Sequence, residues 1–375
     1  MRHLDEYRDG NLARGIAARI ASEARVERSY SFMEFCGGHT HAISRYGLED
    51  ILPHNIRLIH GPGCPVCVLP IGRIDEAIEL SRNPQVTLCV YGDLMRVPGS
   101  NGASLTKAKA GGADIRMVYS TLEAIDIAAR EPSREIVFFA IGFETTTPPT
   151  VMAIRLAQKK GLKNFSIFCN HVLTPAAMRR ILESSDPLPL EGFIGPAHVS
   201  TVIGTAPYEV FARDFAKPVV IAGFEPLDVM QAILMLVRQV NDGRAEVENE
   251  YIRAVTKEGN RIAQQEIAEV LELRESFEWR GLGEIPKSAL RLREAYSDYD
   301  AERRFPIEKR FSRDNPACEC GPILRGLKQP RDCKLFGTAC TPETPIGACM
   351  VSSEGSCAAY WAYGRFREPQ RRAAE

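Results

Sequence analysis

The stretch REIVFFAIGFETTTPPTVMAIRLAQKK, residues 134–160, opens on an unbroken apolar run over Ile136–Ile141, turns through Gly142-Phe143-Glu144 and continues at helical spacing to Lys160. A β-branched and aromatic run without polar alternation suits a strand covered on both faces. An amphipathic helix directly after it makes the strand-loop-helix half of a βαβ unit. Working outward, the same alternation runs from about residue 52 to 225. Strands are expected over 56–60, 86–91, 115–119, 166–170, 193–195 and 218–222, with helices over 73–81, 121–129, 149–160 and 175–183. The run Val219–Ala222 enters Gly223-Phe224-Glu225, echoing Gly142-Phe143-Glu144. The expected fold class is α/β: two similar domains with parallel sheets flanked by helices, plus a mainly helical and loop region rich in cysteine.

The expected division is an N-terminal helix (11–24) and CGGHTH arm within 1–50, packing on the C-terminal region; α/β domains over 51–131 and 132–226; and a last region over 227–375. That last region starts with a helical stretch over 227–273 and a charged connection over 274–313. With 375 residues, 45% hydrophobic and 25% charged, the chain has an ordinary globular composition, which excludes disorder as a description of the whole. Lys and Arg (47) balance Asp and Glu (48), so no global field draws the chain to nucleic acid or anionic lipid. MRHLDEYRDG is too charged for a signal peptide, and no apolar run approaches the ~18 residues of a membrane span, so a cytoplasmic location is expected.

Eleven cysteines in a reducing compartment point to metal, catalysis or redox chemistry rather than structural disulfides. Six of them, Cys318, Cys320, Cys333, Cys340, Cys349 and Cys357, lie near the C-terminus. The spacing Cys318-x14-Cys333-x6-Cys340-x16-Cys357 lacks close Cys-x-x-Cys pairs, and four thiolates on loops rich in Gly and Pro suit either a [4Fe-4S] cluster or a structural zinc. Cys64-Pro-Val-Cys67 follows a strand and precedes a helix, a setting for a redox pair. Cys36-Gly-Gly-His39-Thr-His41 gathers a thiolate and two imidazoles around a flexible turn, a set that could hold a soft transition metal or merely begin a helix. Glu144 in GFETT is a candidate proton acceptor or hydrogen-bond anchor; the same segment also reads as a helix N-cap. His171 and His198 each follow a strand, and Cys89 and Cys169 sit inside apolar strands as inert core thiols. Neither a Walker loop nor a G-x-G-x-x-G fingerprint occurs.

CGGHTH at 36–41, GPGCPVC at 61–67, GFETT at 142–146, GPAHVS at 195–200 and CTPETPIGACMVSSEGSCAAYW at 340–361 together resemble the HypD family of [NiFe]-hydrogenase maturation proteins, in the family's order and over nearly the full chain. The resemblance implies two similar α/β domains and an iron-sulfur region whose motifs line a central cleft. It implies a [4Fe-4S] cluster on Cys318, Cys333, Cys340 and Cys357, a cluster-side thiol pair at Cys320 and Cys349, and a cleft redox pair at Cys64 and Cys67. Cys36 is then the thiolate that holds an iron carrying cyanide and carbon monoxide, shared with the small chaperone HypC; HypE, fed by HypF, is the cyanide donor. The chain alone is expected to be monomeric. The rival function is a free-standing [4Fe-4S] disulfide reductase of the ferredoxin-thioredoxin reductase type, which has no need of Cys36-Gly-Gly-His39. A zinc-stapled interaction module is the non-catalytic alternative.

Overall fold

The computed structural model describes residues 5–184, 188–310 and 312–366. Two parallel sheets organise them. The first contains β1 (Tyr30–Glu34), β2 (Ile56–His60), β7 (Gly192–Pro196), β8 (Val219–Ala222) and β9 (Val247–Asn249), in the order β2-β1-β7-β8-β9. The second contains β3 (Val86–Val90), β4 (Ile115–Met117), β5 (Glu135–Gly142) and β6 (Phe165–His171), in the order β4-β3-β5-β6. Every pairing in both is parallel. β10 (Leu271–Leu273) pairs antiparallel with β13 (Leu290–Leu292), and β11 (Ser276–Trp279) with β12 (Gly283–Pro286).

Side-chain alternation along the buried strands explains how three layers of core form. In β5, Ile136, Phe138 and Ala140 pack to one side, while Val137, Phe139 and Ile141 enter the core shared with the first sheet and the C-terminal cysteines. In β1, Tyr30 and Phe32 face the helix Pro226–Asp242, and Met33 faces the shared core. The N-terminal helix Gly10–Glu23 lies on that same helix Pro226–Asp242.

The α/β class and the parallel sheets agree with the sequence reading; the internal divisions do not. β3 and β5 are hydrogen-bonded neighbours, so one sheet crosses the expected boundary at 131/132, and the other takes strands from both ends of the chain. The expected arm contains β1, the strand between β2 and β7. Its polar Ser31 and Glu34 mask it in the sequence, yet both are buried. The helix Gly37–Tyr46 lies against the helix Ser356–Tyr363. The expected helix over 227–273 stops at Gly243, whose φ is 66°; β9 follows, and Asn260 caps a new helix, Arg261–Val270. The charged connection contains β11 to β13 and the buried Trp279.

The two sheets share one topology, but the Gly-Phe-Glu echo does not mark it. β1 connects to β2 on one side while β7 runs on to β8 on the other, just as β3 leads to β4 and β5 to β6. The echo follows β5, beside the switch in the second sheet, and β8, one strand beyond the switch in the first. Ligand sites in such sheets form at the carboxyl ends of the strands flanking the switch. Those ends carry Cys36 and Ala197-His198 in one sheet, and Tyr91-Gly92-Asp93 and Phe143-Glu144 in the other.

Candidate functional site

Cys36 lies two residues beyond β1, at the N-cap position of the helix Gly37–Tyr46. Glu34, fully buried, organises this turn: one carboxylate oxygen accepts the Cys36 N–H at 2.8 Å, and the other accepts Thr40 Oγ1 and meets His60 Nδ1 at 2.9 Å. Burial and the Glu354 carboxylate push the Cys36 thiol up, against the pull of the Gly38 and His39 backbone N–H groups. His39 Nε2 lies 3.0 and 2.9 Å from the carbonyls of Ala222 and Gly223, so Nε2 carries the proton. Nδ1 keeps its lone pair, buried and without a partner. His41 does not join this group. The two imidazoles are two residues apart on a helix and so point to different sides, and His41 meets Tyr363 instead.

The loop after β2 runs directly against Cys36. Gly37 N–H donates to Gly63 O at 3.1 Å, and a Cβ on Gly63 would lie 2.5 Å from Cys36 N, so only glycine permits the approach. Cys64 and Cys67, one turn further on, form a disulfide with Cα atoms 5.2 Å apart. Cys67 Sγ is 4.0 Å from Ala348 O, next to Cys349. From the C-terminal region Glu354 packs on Gly37, where an added Cβ would come within 2.3 Å of its side chain. Glu354 also lines a cleft of about 370 Å³ with Pro65, Val66, Tyr91, Asp93 and Thr146. This cleft lies between the Cys64–Cys67 loop and the switch point of the second sheet.

The C-terminal thiols gather behind it. Cys320, Cys333, Cys340, Cys349 and Cys357 are buried in the core shared with Cys64 and Cys67, and Cys318 packs against them. Cys320 is the hub, its thiol beside those of Cys318, Cys349 and Cys357; Cys320 and Cys349 are both free thiols. The contact with Cys320 draws the Cys318 thiol down to about 7. Among the described residues, no three His, Cys, Asp or Glu side chains are arranged to share one metal ion. A [4Fe-4S] cluster asks for something different, one thiolate at each of four irons. The residues fit such a group: the donors are all sulfur, the flanking Gly347 is so tightly covered that a Cβ would lie 2.3 Å from Cys320 Sγ and 2.5 Å from Cys318 Sγ, and the neighbouring Arg280 is buried with Nε and Nη2 lacking hydrogen-bond partners.

Glu144 follows β5. Its carboxylate accepts the Thr174 N–H at 2.9 Å and meets Thr174 Oγ1 at 3.0 Å, anchoring the β5 loop to the first residue of the helix Thr174–Leu182. Burial pushes it up to about 7. Both readings of GFETT have a counterpart: these contacts make Glu144 a hydrogen-bond anchor, and Thr146 stands at the N-cap of the helix Thr147–Lys160, with proline in its first turn and without a side-chain cap hydrogen bond. His171 is tied to Thr150 Oγ1 and Gly142 O, and burial pushes it down to about 4. His198 stacks on Phe224, whose ring also neighbours His39. Cys89 and Cys169 are buried in strands, as expected. Glu34, Glu354 and Arg280 were not legible as site residues, because a lone charged residue in a sequence gives no sign of its burial.

A family model described as "Hydrogenase formation hypA family", that of HypD, matches residues 11–364. The chain is 71% identical over 376 residues to the "Hydrogenase maturation factor HypD" of Rhizobium leguminosarum bv. viciae, an alignment covering 99% of this chain and 98% of that protein. It is 52% identical over 377 residues to the protein of the same description from Rhodobacter capsulatus, covering 98% and 99%. With that of Escherichia coli (strain K12) the identity is 46% over 368 residues, covering 97% and 98%.

Proposed function

The chain belongs to the HypD family of hydrogenase maturation factors, and from that premise we propose that, with HypC, it forms the scaffold on which the Fe(CN)2CO centre of [NiFe]-hydrogenase is assembled. The observation that carries this reading is the continuity of the thiols: Gly63 abuts Cys36, Cys64 and Cys67 follow at once, and Cys67 touches the Cys349 segment. Cys36 and a thiolate of HypC hold the incoming iron, which is the cargo of the reaction. The buried Glu34 and Glu354 beside Cys36 favour a cation there.

Cyanide arrives as a thiocyanate on HypE, itself supplied by HypF. A thiolate of the reduced Cys64–Cys67 pair attacks the thiocyanate sulfur; the S–C bond breaks and cyanide leaves to the iron. The second thiolate of the pair then closes the disulfide and releases the donor's thiolate, so the dithiol loses the two electrons that the thiocyanate gains. Held by Cys318, Cys333, Cys340 and Cys357, a [4Fe-4S] cluster would supply single electrons, drawn from an external one-electron donor protein, to reopen the pair. Cys320 and Cys349 lie between the two and serve as the second thiol pair. Whether the chain acts as an enzyme or as a scaffold turns on that redox step.

Infrared spectroscopy of the complex with HypC, made without oxygen, tests the proposal. The parent should show cyanide and carbonyl stretching bands, and Cys36→Ala should lose them while keeping its fold and HypC binding. Normal bands in that variant would remove Cys36 as the iron ligand.

A further inference from the structure

We propose that Arg280 is the electrostatic positioning residue of the thiol relay: its guanidinium, lodged between the Cys64–Cys67 loop and the C-terminal cysteines, donates N–H···S hydrogen bonds to the cluster sulfurs and raises the cluster's reduction potential. The inference rests on the cluster assignment above. Arg280 follows β11 and is 3% exposed. Its backbone N–H donates to Val68 O at 2.8 Å, one residue beyond Cys67. The adjoining Gly281 packs on Gly321, where a Cβ would lie 2.7 Å from the Gly321 Cα, one residue beyond Cys320. Two backbone contacts therefore fix Arg280 to both thiol sites at once.

A buried guanidinium is costly unless its donors are used, and arginine cannot escape the cost by losing its proton. Here Nε and Nη2 are buried without hydrogen-bond partners, and among the described residues the one carboxylate in ion-pair range is Asp314, with Oδ1 3.5 Å from Nε and its side chain 37% exposed. In this proposal the sulfurs of a bound cluster are the acceptors that complete the guanidinium. Reducing a [4Fe-4S] cluster adds one negative charge, so a fixed cation with N–H donors toward sulfur stabilises the reduced form. Glu278 and Asp314 are the acidic groups that oppose it.

The test is an EPR-monitored redox titration of the full chain, purified without oxygen and reduced with dithionite. Arg280→Gln should shift the midpoint potential negative, Arg280→Lys should shift it less, and Asp314→Asn, which removes an opposing charge, should shift it positive. A purely structural role would not give shifts of opposite sign from these two residues. Arg280→Gln protein with full cluster content and an unchanged potential overturns the proposal. If that variant does not fold, an unchanged or more negative potential in Asp314→Asn overturns it equally. Parent protein without iron and sulfide would instead refute the cluster assignment, and this inference with it.

Discussion

Replacing Glu144 by Gln removes a single buried titration and leaves its shape nearly intact. The carboxyl lies in the core end of the β5 loop, hydrogen-bonded to Thr174, and burial raises it from the usual 4.5 to about 7. The sign follows from proton binding. Between pH 4.5 and 7 the unfolded chain releases this proton while the folded chain keeps it, so stability is highest at low pH and is lost as pH rises through the folded value. Integrated from pH 5 to 8, the shift is worth about 2.5 kcal/mol. At ~2.1 cal/mol/K per residue, that corresponds to about 3 °C in Tm for a chain of this size. The Gln side chain keeps one oxygen for the Thr174 N–H and offers an amide to Thr174 Oγ1. The parent should therefore lose about 3 °C relative to Glu144→Gln as pH rises from 5 to 8, measured by calorimetry at one scan rate. Subtracting the two curves cancels the remaining titrations. A parent-to-variant difference that stays flat across this range would refute the assignment of a raised, buried carboxyl.

Gly347→Ala places a Cβ within 2.5 Å of both the Cys318 and Cys320 sulfurs, so it should cost roughly 1–3 kcal/mol of overpacking and lower the iron and acid-labile sulfide of anaerobic protein; unchanged content would count against a cluster at these thiols. Air-exposed parent should gain two alkylated cysteines on mild reduction and Cys64→Ser should not, by intact mass; equal labelling with and without reductant would exclude a reducible Cys64–Cys67 bond.

The parallel sheets were legible because β3, β5 and β6 are apolar runs buried on both faces, a pattern local to each strand. Which strands pair is a long-range property, and so the boundary at 131/132 misplaced β3 and β5, which share a sheet. β1 escaped notice because Glu34 reads as a surface residue, and its burial is paid for by Thr40, His60 and the Cys36 N–H, partners that only the fold supplies. The thiols were legible by residue type and spacing. His41 was misassigned to the Cys36 group because a loop could have placed all three side chains together, whereas the helix that begins at Gly37 separates His39 from His41. Arg280 shows the opposite failure: its importance lies wholly in missing partners, which no sequence pattern records.

The two ends of the site differ in charge, and the difference bears on how iron and electrons could be kept apart. Around Cys36 the near groups are carboxylates: Glu34 beneath it, Glu354 against Gly37, and Asp93 close to Glu354. Burial first, and then the Glu354 and Glu34 carboxylates, push the Cys36 thiol up; in the proposed iron loading a metal ion would replace that proton. At the other end the buried Arg280 is held between the Cys64–Cys67 loop and the Cys320 segment, with the carboxylate of Asp314 beside it. Between them lie Cys64 and Cys67, in a disulfide that carries no charge. In the proposed function, this arrangement would draw a positive cargo to one end and added electrons to the other. The same field opposes a thiolate at Cys36 when no iron is present, which would limit its oxidation by the neighbouring disulfide, since exchange proceeds through the thiolate.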